Sequence, residues 1–193
     1  MDTRICRMEG TSHFYTFAYL RQAAWNAFDT AKAASKGSNY HRVSAVLFAS
    51  LTIEAYLNHL GERAIPNWDS IERKIRWREK LERVAQELDV QLDIKQGWGQ
   101  TAIELFSFRN KLAHGKTHDR DAQYKHREGG SANHSALDPQ WLRKYWNDDA
   151  VQRVLAHLDD LLKEFQSRAG LDPCTLNLIS EDEFTEFEPS PRM

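Results

Sequence analysis

Apolar side chains recur at helical spacing along most of this chain, and this periodicity restricts its fold more than any other feature. Four segments repeat apolar residues every three or four positions and predict helices over about 13–36, 40–63, 69–88 and 100–114. A fifth segment carries the clearest stripe, which consists of Val151, Val154, Leu155, Leu158, Leu161, Leu162 and Phe165. The sequence therefore predicts an all-α bundle of about five main helices, without a convincing strand.

The composition fits one soluble domain. A chain of 193 residues with 41% hydrophobic residues can bury one sizeable core, and 28% charged residues at a net charge of −2 suit a protein in water. No run approaches the roughly 20 apolar residues that cross a bilayer, and residues 1–6 lack the apolar core of a signal peptide. We therefore expect a cytoplasmic protein that does not contact a membrane.

By composition, the chain divides into a helical domain over 1–170 and an acidic tail over 171–193. The domain contains a polar loop over 115–138. Long polar loops are either functional or disordered, and this one starts at the end of the fourth predicted helix, where it could form a lid or a flap. Cys6 and Cys174 lie in opposite end segments, and the histidines of the loop lack the Cys or acidic partners of a metal site. No disulfide framework, metal or other cofactor is therefore predicted.

Two charged residues occupy positions in apolar stripes. Arg109 shares the stripe of the fourth predicted helix with Leu105 and Leu112, and Glu54 lies within the stripe of the second. An unpaired buried cation costs several kcal/mol, of order ~5. We therefore expect Glu54 to pair with Arg109 inside the bundle, and Asn58, one turn after Glu54, to join them. The alternative is a purely structural ion pair that sets the register of two helices.

His114 lies at the end of the helix that carries Arg109. It precedes Gly115, a residue type that is common just beyond a helix C-terminus. Asn110 lies one turn earlier, and the long Arg109 side chain can reach the same place. Since histidine exchanges protons near neutral pH, this group is a candidate for acid–base chemistry beside a cation. The simpler alternative is a histidine that only caps the helix.

The segment 109–114, Arg-Asn-Lys-Leu-Ala-His, resembles the signature of HEPN domains, in which a histidine follows an arginine by a few residues and a polar residue stands directly after the arginine. Residues 49–58 are similar to the helix that packs against the motif helix in those domains. The resemblance implies an all-α bundle, often dimeric, in which two motifs face each other and form a composite ribonuclease site. Many members are toxins or antiphage effectors.

The resemblance also implies a role for each residue of the motif. Arg109 would contact the scissile phosphate, and His114 would move protons at the 2′-hydroxyl or the leaving oxygen. Asn110 would assist this pair, and Glu54 would orient it. The expected products are a 2′,3′-cyclic phosphate and a 5′-hydroxyl, so no metal is required and DNA is inert.

One position departs from the pattern of HEPN toxins that are partnered with a nucleotidyltransferase antitoxin. Those toxins carry a tyrosine two residues after the histidine, where this chain has Lys116. That form of control is therefore not predicted. The expected partners are RNA, a second copy of the chain, and a cognate antitoxin or another regulatory protein. Some HEPN domains bind or scaffold without catalysis, so a non-catalytic module is the alternative function.

Basic residues mark a candidate RNA-binding surface. Arg73 and Arg76 lie on the third predicted helix with Trp77, and Lys111 and Lys116 flank the motif histidine. Phosphate contacts from these cations, together with stacking of bases on an exposed Trp77, would hold single-stranded RNA. The alternative is a solvated face whose mixed charges pair along the helix.

Overall fold

The computed structural model of the protein describes residues 7–115 and 139–187. Lys116, the rest of the predicted polar loop, Cys6 and residues 188–193 lie outside this description. In chain order, the elements are β1 (Arg7–Phe14), α1 (Thr16–Ala33), α2 (Ser38–Ala64), α3 (Trp68–Glu72), α4 (Trp77–Glu87), α5 (Gly97–Ala113), α6 (Gln140–Arg143), α7 (Asp148–Arg168), a 3-10 turn (Pro173–Leu176) and β2 (Ser180–Phe187). The mostly helical architecture predicted from the apolar stripes is confirmed.

The central helix of the bundle is α2. It packs against α1, α4, α5 and α7, and its buried apolar side chains are Ala45, Val46, Ala49, Ile53, Tyr56, Leu57 and Leu60. An 18-residue window of this helix has a mean hydropathy of 1.2, so by length and composition alone the helix is a candidate membrane span. Half of that window is buried inside the protein. The cytoplasmic location therefore stays a prediction.

The predicted third helix is in fact two helices. Residues 73–76 separate α3 from α4. At the start of α4, the backbone N–H of Arg76 donates to Glu79 Oε2 over 2.9 Å, which satisfies a donor that the helix itself cannot pair. On the other side of the break, Trp68 of α3 is buried against Gly61 of α2, where an added Cβ would lie 2.3 Å from the indole ring.

The two ends of the described chain form an antiparallel pair of strands. β1 pairs with β2 in a register that sets Arg7 opposite Phe187 at one end. At the other end, the Tyr15 N–H donates to the Ile179 carbonyl over 2.8 Å. The prediction of no strand is therefore wrong, and the first helix begins after Tyr15 instead of near residue 13. Part of the predicted acidic tail, β2, is hydrogen-bonded to β1.

Polar contacts hold α7 to its neighbours. The Tyr56 hydroxyl of α2 donates to Gln166 Oε1 over 2.5 Å, and Gln166 Nε2 donates to the Asp172 carbonyl over 2.7 Å. Burial raises the pKa of Tyr56 above its ordinary range. Where α1 meets α7, Arg21 donates twice to the Asp159 carboxylate, over 2.7 and 3.1 Å. These contacts fix the frame against which α5 packs, between α2 and α7.

Candidate functional site at the end of the fifth helix

An ion pair between Glu54 and Arg109 joins α2 to α5. Arg109 Nη2 lies 3.4 Å from Glu54 Oε2, so the two charges expected to pair from their places in the apolar stripes are in contact. The Arg109 and Glu54 side chains are 33% and 30% exposed, which places the pair at the edge of the α2–α5 contact instead of in the core as expected. Because water still reaches both groups, little desolvation opposes the pairing.

Asn110 is the second residue that holds the guanidinium. Arg109 Nη1 donates to Asn110 Oδ1 over 3.1 Å. Since the N–H groups of a guanidinium lie in one plane, contacts with oxygens of two different residues limit how that plane can turn. Asn110 also lies on the adjacent face of α5, where a groove opens. It therefore links Arg109 to that groove.

His114 lies at the C-terminal end of α5. Its backbone N–H closes the last helical turn by donating to the Asn110 carbonyl over 2.9 Å, and its side chain is exposed. Gly115 follows at a point where a Cβ would lie 2.8 Å from the Lys111 carbonyl oxygen, closer than a side chain tolerates. The glycine therefore lets the chain leave the helix directly after His114.

A groove of about 830 Å³ opens at this end of α5. Its described lining consists of Trp77, Ser107, Asn110, Lys111, His114, Gly115, Pro139 and Trp141. The polar members of this set recur at spacings of three and four residues, so they share one face of the helix. Arg109 is not among the described lining residues, because its side chain contacts α2 on another face of α5.

Two tryptophans form apolar walls of the groove. Trp77 stacks on Phe106 of α5, with ring centroids 3.9 Å apart and an angle of 17° between the planes. Trp141 meets Phe108 of α5 edge-on, at 5.7 Å and 71°. Lys111 Nζ lies 5.9 Å from the Trp141 centroid, within the range of a cation–π contact. Contrary to the expectation of an exposed Trp77, its side chain is only half-exposed and one face is covered.

A smaller hollow of about 310 Å³ adjoins the groove and shares part of its lining. In this hollow, Lys144 Nζ lies 2.6 Å from Glu104 Oε2, and burial raises the pKa of Tyr145 to about 12. Sequence reasoning did not identify Trp141 or its neighbours as site residues. Aromatic and basic residues are dense over 141–146, but such a composition does not indicate where the segment packs.

Asn58 does not join the Glu54–Arg109 pair, contrary to the prediction. Its Oδ1 accepts a hydrogen bond from Lys80 Nζ over 2.8 Å. Lys80 is 8% exposed, and its ammonium group needs an acceptor because an unpaired buried charge is costly. Asn58 therefore ties α2 to α4. Sequence reasoning missed Lys80, although its position one turn before Val84 on the apolar stripe of α4 was a signal.

The two arginines of the predicted RNA-binding surface lie outside the lining of the groove. Arg73 has an 88% exposed side chain within 3.8 Å of a neighbouring carboxylate, beside the break between α3 and α4. Arg76 is exposed just before α4. Of the predicted surface, the groove therefore brings together Lys111 and Trp77. Lys116 lies outside the described residues.

Metal ligands do not cluster in the described chain. Within residues 7–115 and 139–187, the side chains of His, Cys, Asp and Glu form no group of three that could hold a metal ion. His157 lies with its Nδ1 2.7 Å from Thr101 Oγ1, where α5 and α7 meet. That histidine thus has a polar partner inside the bundle.

Comparisons with known proteins leave the site to be interpreted from its own geometry. No family model, no curated protein and no solved structure matches this chain.

Proposed function

We propose that the protein is a metal-independent endoribonuclease of the HEPN type that acts as a homodimer. The observation that carries the proposal is the arrangement at the end of α5. Glu54 and Asn110 hold the Arg109 guanidinium, and Asn110 shares a groove with the exposed His114. A positioned cation and an exposed imidazole on the same helix, each of which can serve a site completed by a second chain, are groups suited to cleavage of an RNA phosphodiester.

Arg109 would bind the scissile phosphate. Its positive charge would stabilise the negative charge that develops on the phosphoryl oxygens in the transition state. Stabilisation of the transition state in this way accelerates the reaction. Glu54 and Asn110 would act as positioning residues, because a guanidinium that is already oriented loses less freedom when it binds. The exposed third of the Arg109 side chain is the part that a phosphate can reach.

His114 would transfer protons during the reaction. The 2′-oxygen of the RNA attacks phosphorus as its proton passes to a base, the bond from phosphorus to the 5′-oxygen breaks, and the departing oxygen takes up a proton. The products are a 2′,3′-cyclic phosphate and a 5′-hydroxyl. DNA lacks the 2′-hydroxyl that serves as the nucleophile, so this route cannot cleave it.

Two copies of the chain would complete the site better than one. At about 100° per residue, Arg109 and His114 leave α5 in directions about 140° apart. Arg109 accordingly contacts Glu54 on α2, whereas His114 lines the groove. Two chains that face each other across a twofold axis would bring the arginine of one motif to the histidine of the other.

We also propose a role as a toxin or antiphage effector, which the resemblance of residues 109–114 to HEPN domains implies. Cleavage of cellular RNA stops growth unless a cognate antitoxin or another regulatory protein restrains it. Expression of the wild type in a bacterial host should therefore arrest growth, whereas His114→Ala should not. Normal growth with abundant folded wild-type protein would argue against this role.

The ribonuclease proposal is tested by incubating RNA in EDTA with the wild type, His114→Ala and Arg109→Lys. His13→Ala and Arg168→Lys are matched controls, because both residues are exposed and lie outside the site. We expect the wild type to generate cyclic phosphate and 5′-hydroxyl ends, and both site variants to cleave at least about 100-fold more slowly. The controls should cleave normally, and circular dichroism should show that all variants fold. Undiminished cleavage by His114→Ala, or cleavage abolished by EDTA, would contradict the mechanism.

A non-catalytic HEPN module is the second candidate. It is favoured by two observations: the Arg109 guanidinium already contacts Glu54 and Asn110, as a structural ion pair would, and the His114 backbone closes the last turn of α5. In that case the ion pair holds two helices together and the exposed groove recruits a partner. A folded wild type that cleaves none of a varied set of RNAs would favour this module.

A further inference from the structure

The groove beside His114 has two aromatic walls that the cleavage reaction does not explain. Trp77 and Trp141 come from different helices, and both side chains are half-buried. Each ring rests on a phenylalanine of α5, at centroid distances of 3.9 Å for Trp77 on Phe106 and 5.7 Å for Trp141 on Phe108. Because packing already fixes both rings, a ligand that stacks on them orders few additional side chains.

Polar and charged groups of α5 lie between these walls. Ser107 and Asn110 offer a hydroxyl and an amide, which both donate and accept hydrogen bonds. Lys111 adds a positive charge 5.9 Å from the Trp141 centroid. In the adjoining hollow, the charge of Lys144 is offset by a carboxylate oxygen 2.6 Å away. Lys111 is therefore the better placed of the two lysines to meet an anion that is bound against Trp141.

We propose that this groove binds an unpaired RNA base against Trp141, with the flanking phosphate on Lys111, and so positions the neighbouring linkage at His114. A volume of about 830 Å³ falls within the range of about 300–1,000 Å³ that ligand pockets occupy. Every base has a flat face that stacks on an indole, and the amide of Asn110 can contact its edge. Positioning of the linkage at His114 rests on the proposed ribonuclease function, whereas binding of a base in the groove does not require cleavage.

The test uses the full chain carrying His114→Ala, so that binding is measured without cleavage. Fluorescence anisotropy gives the dissociation constants of a short labelled single-stranded RNA and of an abasic oligomer of the same length. We expect the further change Trp141→Ala to weaken binding of the RNA by about 5- to 100-fold, the range for loss of one stacked base. Binding of the abasic oligomer should be weaker from the start and nearly unaffected by this change.

Three further variants separate binding from folding and from general charge effects. Trp141→Phe keeps a ring for stacking and should retain most of the affinity. Trp146→Ala is the matched control, because Trp146 is half-buried in the same segment but is not among the described residues that line the groove. Lys111→Gln should lower the slope of log affinity against log salt by about 1, whereas Lys163→Gln, an exposed lysine of α7, should leave it unchanged.

The outcomes distinguish this site from the cleavage reaction. Equal affinity for the RNA and the abasic oligomer would overturn the groove proposal, as would a loss in Trp146→Ala equal to that in Trp141→Ala. If the wild type cleaves RNA but Trp141→Ala binds it with unchanged affinity, the groove proposal fails alone. If no RNA is cleaved and base-dependent binding is still lost in Trp141→Ala, the ribonuclease proposal fails and the base-binding groove stands.

Discussion

Two polar residues of α2, one turn apart, each contact a cation from another helix. Glu54 meets Arg109 at a half-exposed edge, whereas Asn58 meets the buried Lys80. Solvent screens the first contact, so it adds little to stability, while breaking the second leaves the buried Lys80 ammonium with only the Glu72 carboxylate, 3.8 Å away. The Glu54–Arg109 contact therefore matters more for the position of the guanidinium than for the stability of the bundle.

The substitution Glu54→Gln separates these two contributions. Glutamine keeps the shape of the side chain without its charge, so the free energy of unfolding in urea should fall by no more than about 1 kcal/mol. The rate of RNA cleavage at saturating substrate should fall by about tenfold or more, because Arg109 loses an orienting partner. Glu164→Gln, which breaks an exposed pair with Arg168, is the control. A loss of several kcal/mol would instead identify a structural ion pair.

His59 of α2 should make the stability of the fold depend on pH. Its ring packs among Tyr15, Phe17 and Tyr56, and burial, assisted by the charge of Arg63, lowers its pKa from 6.5 to about 4. Between these values the unfolded chain binds a proton that the folded chain does not, so stability falls as the pH falls from about 6.5 toward 4. Because the ring keeps some contact with water, we expect a loss of about 1 kcal/mol between pH 6.5 and 5.

Urea denaturation at these two pH values measures the effect. His59→Phe keeps an aromatic ring that does not titrate, so its loss of stability on acidification should be smaller than that of the wild type. His13→Ala, at an exposed position of β1, should behave like the wild type. If His59→Phe lost as much stability as the wild type, other groups would have to account for the pH dependence.

At the scale of elements, one indole holds α3 against α2. The Trp68 ring is buried on Gly61, and its Nε1 has no hydrogen-bond partner among the residues that the structure describes. Most buried N–H groups are hydrogen-bonded, and this one is an exception. Because no hydrogen bond to the indole N–H positions the ring, close packing must hold it in place. The contact therefore depends on the absence of a side chain at position 61.

The substitution Gly61→Ala should lower the free energy of unfolding by about 1–3 kcal/mol. Helix propensity favours alanine by about 1 kcal/mol, but the added Cβ would lie 2.3 Å from the Trp68 ring, so the clash decides the sign. Trp68→Phe shortens the ring, and Gly61→Ala should cost less in that background. Urea denaturation of both single variants and the double variant measures this coupling, and strictly additive effects would contradict the contact.

The sequence was sufficient to predict the long helices and insufficient to predict the smaller elements. An apolar stripe defines α5, whose predicted extent of 100–114 compares with Gly97–Ala113 in the structure. The stripe of the third predicted helix continues across residues 73–76, so its period could not indicate a break that depends on packing against α2. The strands pair residues from opposite ends of the chain and lack an alternating apolar pattern, so local periodicity could not reveal them.

The candidate site was predictable to a similar extent. Opposite charges interrupt two apolar stripes, and this pattern was enough to expect the contact between Glu54 and Arg109. The prediction that Asn58 joins the Glu54–Arg109 pair was wrong, because Lys80, on another helix, donates a hydrogen bond to the Asn58 amide oxygen. Trp141 could not be assigned, because its place in the groove depends on how a short helix packs against α5.

For the whole molecule, a net charge of −2 means that RNA must be held by local cations and not by a general positive field. Arg109 and the groove use different faces of α5, and for this reason we propose that a second copy of the chain completes the site. Sedimentation velocity should accordingly give a particle of about twice the 22.4 kDa of one chain. A strict monomer at the concentrations where RNA is cleaved would contradict the composite site.

Mixing two inactive variants tests the composite site directly. In a mixed dimer of His114→Ala and Arg109→Lys, one of the two sites combines an intact arginine from one chain with an intact histidine from the other. Random exchange makes about half of the dimers mixed, so about a quarter of the wild-type activity should return. No recovery after confirmed subunit exchange would mean that Arg109 and His114 act within one chain.

The ribbon formed by β1 and β2 determines how the chain would respond to tension. Arg7 and Phe187 are opposite each other at the end of the ribbon away from α1. A force that pulls these two residues apart would therefore act on one hydrogen-bonded residue pair at a time. Strands that are peeled in this way separate at much lower force than strands that are sheared along their length. A tether at both ends would therefore open the ribbon first and leave the helices that carry the motif unstretched.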